Sequence, residues 1–442
     1  MFLRQKGLIN LIVLMLIVIL VACSSGADTD PIVQEDSNNK EDNTGEEIER
    51  ADEIVIAART GEMADALEAI AQKYEEDTGT KAVVAASPYD SLYEQAVLDI
   101  SAGSGAYDLI MMDDPWMPEF AENGFLLPLD DYFPDGPDPD FIEMSLNLGK
   151  HPYGEGELIA LPIIGNVQLF FYRNDLVEKY GVNPPETWDE VLDFATRVTE
   201  EEDDTYGYVI RGQRGNPIVS DYLPVFWAYG GEVFDDEMVP QVNSEEAIEA
   251  MDMYLKLKEV SPTGVETYDS DQIGTALTQG RVAMTIAWPS WVGLVDDPDA
   301  SEVVGKVNFS AVPGQHVDTS AMIGNWMLGV SSASKHPDTA VDFLKYVTSH
   351  EFQKQMAQMG GGVPTLRSLY QDEELIEQYR QFPAQLEALE NSSPRPRTPL
   401  WNRVEDVWGL YLSEIVAGGR DIQEALDQAN DEIAEIMQQE GN

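Results

Sequence analysis

Short apolar runs alternate with helical repeats of apolar residues between residues 53 and 113. The runs Glu53–Ala58, Lys81–Ser87 and Tyr107–Met112 have the length and composition of buried strands. After the first run, apolar side chains recur at helical spacing until Gly79, a stop signal: Met63, Leu67, Ile70 and Tyr74. A second helical repeat, "SLYEQAVLDISAG", precedes the third run. The pattern predicts β-α-β-α-β, which is typical of a parallel sheet covered by helices.

A second unit of the same kind follows later in the chain. "SDQIGTALTQG" predicts a helix, "RVAMTIA" predicts a strand, and "WPSW" (Trp288–Trp291) comes directly after that strand. Between the two units, "ELIALPIIGNVQLFFYRNDL" reads as extended chain with Asn166 and Gln168 among apolar neighbours. The pattern therefore predicts two α/β lobes joined by a crossover.

Two further helix starts have the capping-box spacing. Thr187 stands three residues before Glu190, and Thr348 stands three residues before Glu351. Both are structural features to which we assign no chemistry.

Polar and aromatic side chains follow the predicted strands of the first unit. Arg59 follows the first strand, Tyr89 the second, and Asp113, Asp114 and Trp116 the third. In open α/β sheets, ligands bind in the crevice beyond the carboxyl ends of the strands. We therefore expect a binding site at this edge.

The N-terminus has the features of an export signal. Arg4 and Lys6 precede an apolar run that extends to Ala22, and Cys23 follows. The uninterrupted apolar part is shorter than the roughly 20 residues of a membrane span. "LVAC" resembles the lipobox of bacterial lipoproteins, and Cys23 is the only cysteine in the chain. We predict a signal peptide over 1–22, lipidation at Cys23, and a flexible acidic linker over 23–52.

Charge and composition narrow the function classes. The 442-residue chain carries 81 acidic and 26 basic residues, a formal charge of −55, so nucleic acid and anionic lipid are poor partners. The four histidines are scattered without ligand spacing, and no phosphate-binding G-x-x-x-x-G-K-[ST] loop is present. We expect no metal and no cofactor, and ATP hydrolysis would belong to a partner subunit.

Three longer segments carry a family resemblance. "LPIIGNVQLFFYRNDLVEKYGVNPPETWDEVLDFA", "LTQGRVAMTIAWPSW" and "GNWMLGVSSASKHPDTAVDFLKYVTSHEFQKQM…GGGVP" are similar, in order and spacing, to the family 1 extracellular solute-binding proteins. The resemblance implies an α/β fold of two lobes with a ligand cleft between them, the type II periplasmic-binding-protein fold of maltose-binding protein. It also implies a non-enzymatic carbohydrate receptor, exported and lipid-anchored at the outer face of the membrane, that serves an ABC permease as a monomer.

By analogy with that family we place the crossovers near Leu161–Asn166, Val307–Val312 and Gly362–Thr365. The N-lobe then comprises 52–163 and 311–363, and the C-lobe comprises 164–310 and 364–442.

Sugar chemistry selects the candidate site residues. Sugars present hydroxyls, which carboxylates and amides bind, and an apolar C–H face, which aromatic rings cover. Asp113, Asp114 and Trp116 supply both classes, and we expect at least one carboxylate to accept hydrogen bonds from ligand hydroxyls. The further candidates lie near other predicted strand ends or crossovers: Arg59, Tyr89, Asn166, Trp227, Tyr229, Trp288, Trp291, Asn325, Trp326 and Arg397. The aromatics could instead fill the core, and Arg59, Arg211, Arg214 and Arg397 could instead pair with surface acids.

Two other classes stay open at this stage. A secreted glycoside hydrolase would use Asp113 or Asp114 as half of an acid/base pair and needs a second carboxyl about 5–10 Å away. "WPSW" and "GNWM" contain no carboxyl for that role. The other class is an adhesion or peptide-binding lipoprotein.

Overall fold

A computed structural model describes residues 49–319, 321–359 and 363–438, which belong to one compact unit. The predicted signal peptide, Cys23 and most of the predicted linker lie outside the described residues. In the described part of the chain, no helix combines the length and the apolar composition that crossing a membrane requires.

The strands have the following bounds: β1 (Glu53–Arg59), β2 (Lys81–Ser87), β3 (Leu109–Asp113), β4 (Lys150–His151), β5 (Glu157–Leu158), β6 (Ala160–Ile164), β7 (Leu169–Arg173), β8 (Tyr206–Tyr208), β9 (Val282–Ala287), β10 (Val307–Ser310) and β11 (Trp326–Val330).

The helices have the following bounds: α1 (Glu62–Thr78), α2 (Tyr89–Ala102), α3 (Met117–Glu122), α4 (Glu143–Asn147), α5 (Asn174–Tyr180), α6 (Trp188–Glu201), α7 (Asn216–Ala228), α8 (Glu245–Glu259), α9 (Ser270–Thr278), α10 (Ser290–Val295), α11 (Pro337–Val347), α12 (His350–Gln358), α13 (Glu373–Gln378), α14 (Phe382–Glu390), α15 (Trp401–Val416) and α16 (Ile422–Gln438).

The first lobe is built on a five-stranded sheet in the order β2-β1-β3-β11-β6. β1 pairs in parallel with both β2 and β3, so the predicted β-α-β-α-β unit is confirmed. β11 enters antiparallel between β3 and β6, which makes the sheet mixed, a feature that the local pattern does not predict. All five residues of β3 are buried, as expected for a strand covered on both faces.

The second lobe is built on a four-stranded sheet in the order β10-β7-β9-β8. β9 is buried over its whole length and ends at Ala287, immediately before Trp288. α9 packs on β9, so the predicted second α/β unit is confirmed.

Three segments run side by side where the chain passes between the sheets. The chain leaves the first sheet after Ile164 and returns from the second between Ser310 and Trp326. Backbone bridges join Val167 to Ile323 and Met322 to Ser393. The bridge from Ser393 brings in the segment before α15, which is not one of the three predicted crossovers. Gly362, the first residue of the third predicted crossover, lies outside the described residues. The predicted lobe boundaries stay a prediction.

The two capping-box predictions have different outcomes. At α6, the Thr187 hydroxyl accepts from the Glu190 amide and the Glu190 carboxylate accepts from the Thr187 amide, so this box is confirmed. The second prediction is wrong. Thr348 is the last residue of the preceding helical turn, and its hydroxyl donates to the Leu344 carbonyl oxygen at 2.7 Å. Ser349 occupies the N-cap position of α12, but its side chain makes no capping hydrogen bond.

Candidate functional site

The carboxyl end of β3 turns sharply because Asp113 caps the turn that follows. Its Oδ1 accepts from the Asp114 amide at 3.0 Å and begins a short 3₁₀ helix, Asp114–Trp116, with Pro115 in its first turn. The Asp114 amide also donates to the Asn325 carbonyl oxygen at 3.1 Å. The turn therefore places two carboxylates beside β11, at the edge where the sequence predicted a site.

Two arginines from the segment between α14 and α15 bind these carboxylates. Arg395 donates to Asp113 through two nitrogens, Nη2 to Oδ1 at 2.9 Å and Nη1 to Oδ2 at 3.3 Å, and also to Asp114. Arg397 Nη1 donates to Asp114 Oδ2 at 3.1 Å and to its carbonyl oxygen at 2.9 Å. Asp114 is 0% exposed. The carboxylates are thus occupied by protein donors in this structure, and their predicted contact with ligand hydroxyls stays a prediction.

Burial dominates the protonation of this cluster. It raises the pKa of Asp114 to about 6, although Arg395 and Arg397 oppose the shift. Burial also raises the pKa of Glu405, on α15, to about 7 against the attraction of Arg395. Glu405 accepts from Asn216 Nδ2 at 3.0 Å, which connects the cluster to the start of α7.

Aromatic rings cover the cluster on the first lobe. Tyr89 donates its hydroxyl to Asp113 Oδ2 at 2.9 Å. Its ring centroid lies 4.9 Å from that of Trp116 and 5.9 Å from that of Trp326. Trp116 and Trp326 are buried, whereas Tyr89 is partly exposed. Tyr89 is therefore the ring of this group that keeps an open surface.

Arg59 lies against the same rings. Its guanidinium carbon is 5.4 Å from the Trp326 ring centroid and 6.0 Å from that of Tyr89, within cation–π range. The structure thus brings together Arg59, Tyr89, Trp326 and Asp113, all of which the sequence predicted as site residues.

An ion pair of the second lobe faces Arg59. Arg211 Nη2 donates to Asp269 Oδ1 at 2.6 Å, and the Arg211 amide donates to buried Asp221. Burial raises the pKa of Asp269, but Arg211, the Ser270 amide and, least of all, Arg59 together hold the pKa below its usual value. The charge of Arg59 in the first lobe therefore contributes to the lowered pKa of Asp269 in the second lobe.

The paired tryptophans after β9 have different environments. The Trp288 indole lies against Gly324, where an added Cβ would be 2.7 Å from its Cη2. Trp291 packs on Gly274 of α9 and donates Nε1 to the Ser270 hydroxyl at 3.1 Å. Trp288 therefore contacts a crossing segment, whereas Trp291 is held to its own lobe.

Two predicted amides lie on the crossing segments. Asn166 is 8% exposed, and its carbonyl oxygen accepts from the Gly324 amide at 2.9 Å. Asn325 is 0% exposed, and neither polar atom of its side chain has a hydrogen-bond partner among the described residues. Burying an amide without hydrogen-bond partners costs free energy, so the side chain of Asn325 has a donor and an acceptor that no described residue uses.

Trp227 and Tyr229 lie away from this cluster. They stand at the end of α7, a helix of 13 residues whose first residue, Asn216, is bonded to Glu405. At 1.5 Å per residue, Trp227 is about 17 Å along the helix from Asn216. Tyr229 packs edge-on against His316 with ring centroids 5.3 Å apart, and its carbonyl oxygen contacts His316 Nδ1. The structure does not bring these two residues to Asp113.

Sequence reasoning missed three charged residues of the site. Arg395, Glu405 and Asp269 belong to no spaced motif, although "PRPR" places Arg395 two positions before the predicted Arg397. Basic residues are scarce in this chain, and that scarcity is the feature that could have identified Arg395 as a candidate site residue. In the described ranges, no group of three or more His, Cys, Asp or Glu side chains could hold a metal ion.

Two mixed α/β sheets, with polar and aromatic side chains at facing strand ends, define the class of two-lobed binding proteins. The chain matches the bacterial extracellular solute-binding proteins over residues 60–354 and belongs to that family. The family and the fold are those of solute-binding proteins, which are not enzymes.

Individual relatives agree with this assignment. The probable amino-acid ABC transporter periplasmic-binding protein y4oP of Sinorhizobium fredii is 27% identical over 347 residues, or 76% of this chain and 78% of that protein. A solute-binding protein of Agrobacterium radiobacter in complex with ribitol has a TM-score of 0.80 at 26% identity, covering 87% of this chain and 98% of that one. Maltose-bound MalE3 of T. maritima has a TM-score of 0.78 at 27% identity, covering 86% and 98%.

Proposed function

We propose that this chain is the substrate-binding component of an ABC importer and that it captures a sugar or a polyol. The observation that carries the proposal is the pairing of Tyr89 and Trp326 with charged groups of both lobes at one crevice. The partly exposed ring of Tyr89 matches the C–H face of a sugar, and charged groups match its hydroxyls. The ribitol and maltose complexes of similar proteins support the same class of ligand.

Closure of the lobes is the proposed mechanism. Arg59 lies at the end of β1 in the first lobe, and Asp269 precedes α9 in the second. A ligand that contacts both residues binds the closed form more tightly than an open form, in which it contacts only one lobe, and so stabilises the closed form. The closed form then delivers the ligand to the membrane permease.

We also propose that a lipid attached to Cys23 anchors the protein to the membrane. "LVAC" and the preceding apolar run support cleavage before Cys23 and lipidation of that residue. The acidic segment 23–52 would then be a linker between the outer face of the membrane and a monomeric receptor.

A thermal-shift screen tests the proposed ligand class. The panel contains monosaccharides, oligosaccharides, polyols and, because of the amino-acid transporter relative, amino acids. A ligand at 100 times its Kd adds about 2.7 kcal/mol to the free energy of unfolding. A shift with a sugar or polyol and no release of reducing sugar supports the proposal. Shifts with amino acids alone, or hydrolysis of an oligosaccharide, would overturn it.

A further inference from the structure

Arg59 is a partly buried cation that forms no direct ion pair within the described part of the chain. Its side chain makes no hydrogen bond and no ion pair with any described residue, although two aromatic rings lie within 6.0 Å of its guanidinium carbon. The five N–H donors of a guanidinium lie in its plane. The rings contribute cation–π attraction but accept none of these hydrogen bonds.

Other arginines of the described chain show how readily counterions are found. Buried or partly buried arginines are bonded to carboxylates, as Arg173 is to Asp175, Arg211 to Asp269 and Arg395 to Asp113. With 81 acidic residues against 26 basic ones, carboxylates outnumber the cations that could pair with them. Arg214 and Arg281 also make no side-chain hydrogen bond or ion pair within the described ranges, but both are exposed to water. Among these three, Arg59 alone is partly withdrawn from water.

Asp269, the acid whose pKa Arg59 helps to lower, is already bonded to another arginine. Asp269 is bonded to Arg211 at 2.6 Å, so its carboxylate is not directly paired with Arg59. The whole chain has a formal charge of −55, which repels anions at long range. Arg59 is therefore a partly buried guanidinium whose N–H donors are not used by described residues, within an otherwise acidic chain.

We propose that Arg59 binds a carboxylate of the ligand and that the ligand is an acidic saccharide, a uronic or an aldonic acid. The inference rests on the proposed function and narrows its ligand class. A guanidinium edge matches a carboxylate through two parallel N–H···O bonds, which a hydroxyl cannot reproduce. The rings of Trp326 and Tyr89 orient the guanidinium, and the C–H face of the sugar would rest on the open surface of Tyr89.

Matched acid and neutral compounds test the inference. Thermal shift and calorimetry compare D-glucuronate with D-glucose, D-galacturonate with D-galactose, and D-gluconate with D-sorbitol, at equal ionic strength. We expect at least one acid to bind and its neutral counterpart to bind at least tenfold more weakly. Arg59→Gln should weaken binding of that acid by about ten- to a hundredfold, since hydrogen bonds between charged groups are strong. Arg59→Lys keeps the charge but loses the fork, so an intermediate loss is expected.

Arg281→Gln is the matched control, because it removes the same charge from an arginine that also lacks a side-chain hydrogen bond or ion pair within the described ranges. Arg281 precedes β9, at the end of the strand opposite Trp288. It should bind the acid as the parent does. If a neutral sugar or polyol binds as tightly as its acid, and Arg59→Gln leaves both unchanged, the acidic-ligand inference is overturned while the proposed function stands. If no saccharide of either kind binds, the proposed function fails as well. An equal loss in Arg281→Gln would also overturn the inference, since net charge would then explain the effect.

Discussion

Arg395 and Asp113, 282 positions apart in the chain, form an ion pair with two hydrogen bonds of 2.9 and 3.3 Å at the end of β3. Arg395 is 2% exposed and Asp113 is 7% exposed. Asp113 also caps the turn to Trp116 and accepts from Tyr89. One carboxylate therefore connects a strand end, an aromatic ring of the crevice and the segment before α15.

Removal of Asp114 should destabilise the fold. Asp114→Ala takes one carboxylate from Arg395 and Arg397, and breaking a buried ion pair costs about 3–5 kcal/mol. We expect a fall of that size in the free energy of unfolding, measured with urea. Asp65→Asn, on the exposed face of α1, is the control and should change stability by less than about 0.5 kcal/mol. Parent-like stability with a large loss of ligand affinity would instead favour direct contact between Asp114 and the ligand.

Glu405 should make stability depend on pH. Its pKa is raised to about 7 in the folded protein by burial, so between about pH 4.5 and 7 the folded state holds a proton that the unfolded chain releases. The stability contributed by this proton is complete below about pH 4.5 and is lost as pH rises to about 7. The loss is on the order of 3 kcal/mol, at about 1.4 kcal/mol per pH unit.

Glu405→Gln isolates this effect, because it keeps an acceptor for Asn216 but cannot titrate. The difference in unfolding free energy between parent and variant, measured in urea from pH 4 to 8, should change across that window and be constant above it. A constant difference over the whole range would contradict the assignment of the titration to Glu405.

Trp288 should report ligand binding by fluorescence. Trp116 and Trp326 are already buried, whereas Trp288 is partly exposed beside Gly324. The saccharide with the largest thermal shift should therefore change the tryptophan emission of the parent, and Trp288→Phe should lose more of that change than Trp291→Phe. An unaltered response in Trp288→Phe would place the reporter elsewhere.

Gly324→Ala should disturb the same contact. The added methyl would be 2.7 Å from the Trp288 ring, so the indole must move. We expect ligand binding about tenfold weaker, equivalent to 1.4 kcal/mol, measured by calorimetry. Gly293→Ala in α10, where a Cβ meets no atom within 4 Å, should bind normally. Equal affinities in the two variants would remove Trp288 from the site.

Cys23→Ala tests the tether. Without the thiol no lipid can be attached, so the variant should move from the membrane fraction to the medium or accumulate uncleaved. Fractionation, immunoblotting and mass spectrometry of the N-terminus measure this. Unchanged fractionation and processing would refute the lipobox prediction.

Local sequence determined the elements of both lobes and predicted the edge at which the site is expected. Apolar runs such as Leu109–Met112 bury themselves on both faces, and helical repeats such as that ending at Gly79 cover them. Because parallel strands share the direction of their carboxyl ends, Arg59, Tyr89 and Asp113 were predictable neighbours. The confirmed capping box at Thr187 likewise depends on residues three positions apart.

Tertiary structure alone decided how the charges of the site are paired. No local pattern shows that Arg395 would pair with Asp113 or that Asp269 would pair with Arg211. Nor does it show that Arg59 would contact aromatic rings and form no direct ion pair within the described residues. Hydrogen bonding and burial depend on which groups the folded chain brings within about 3 Å, and these partners are far apart in sequence. The sequence therefore predicted the edge at which a ligand site is expected, whereas long-range packing determined which charged side chains are paired there.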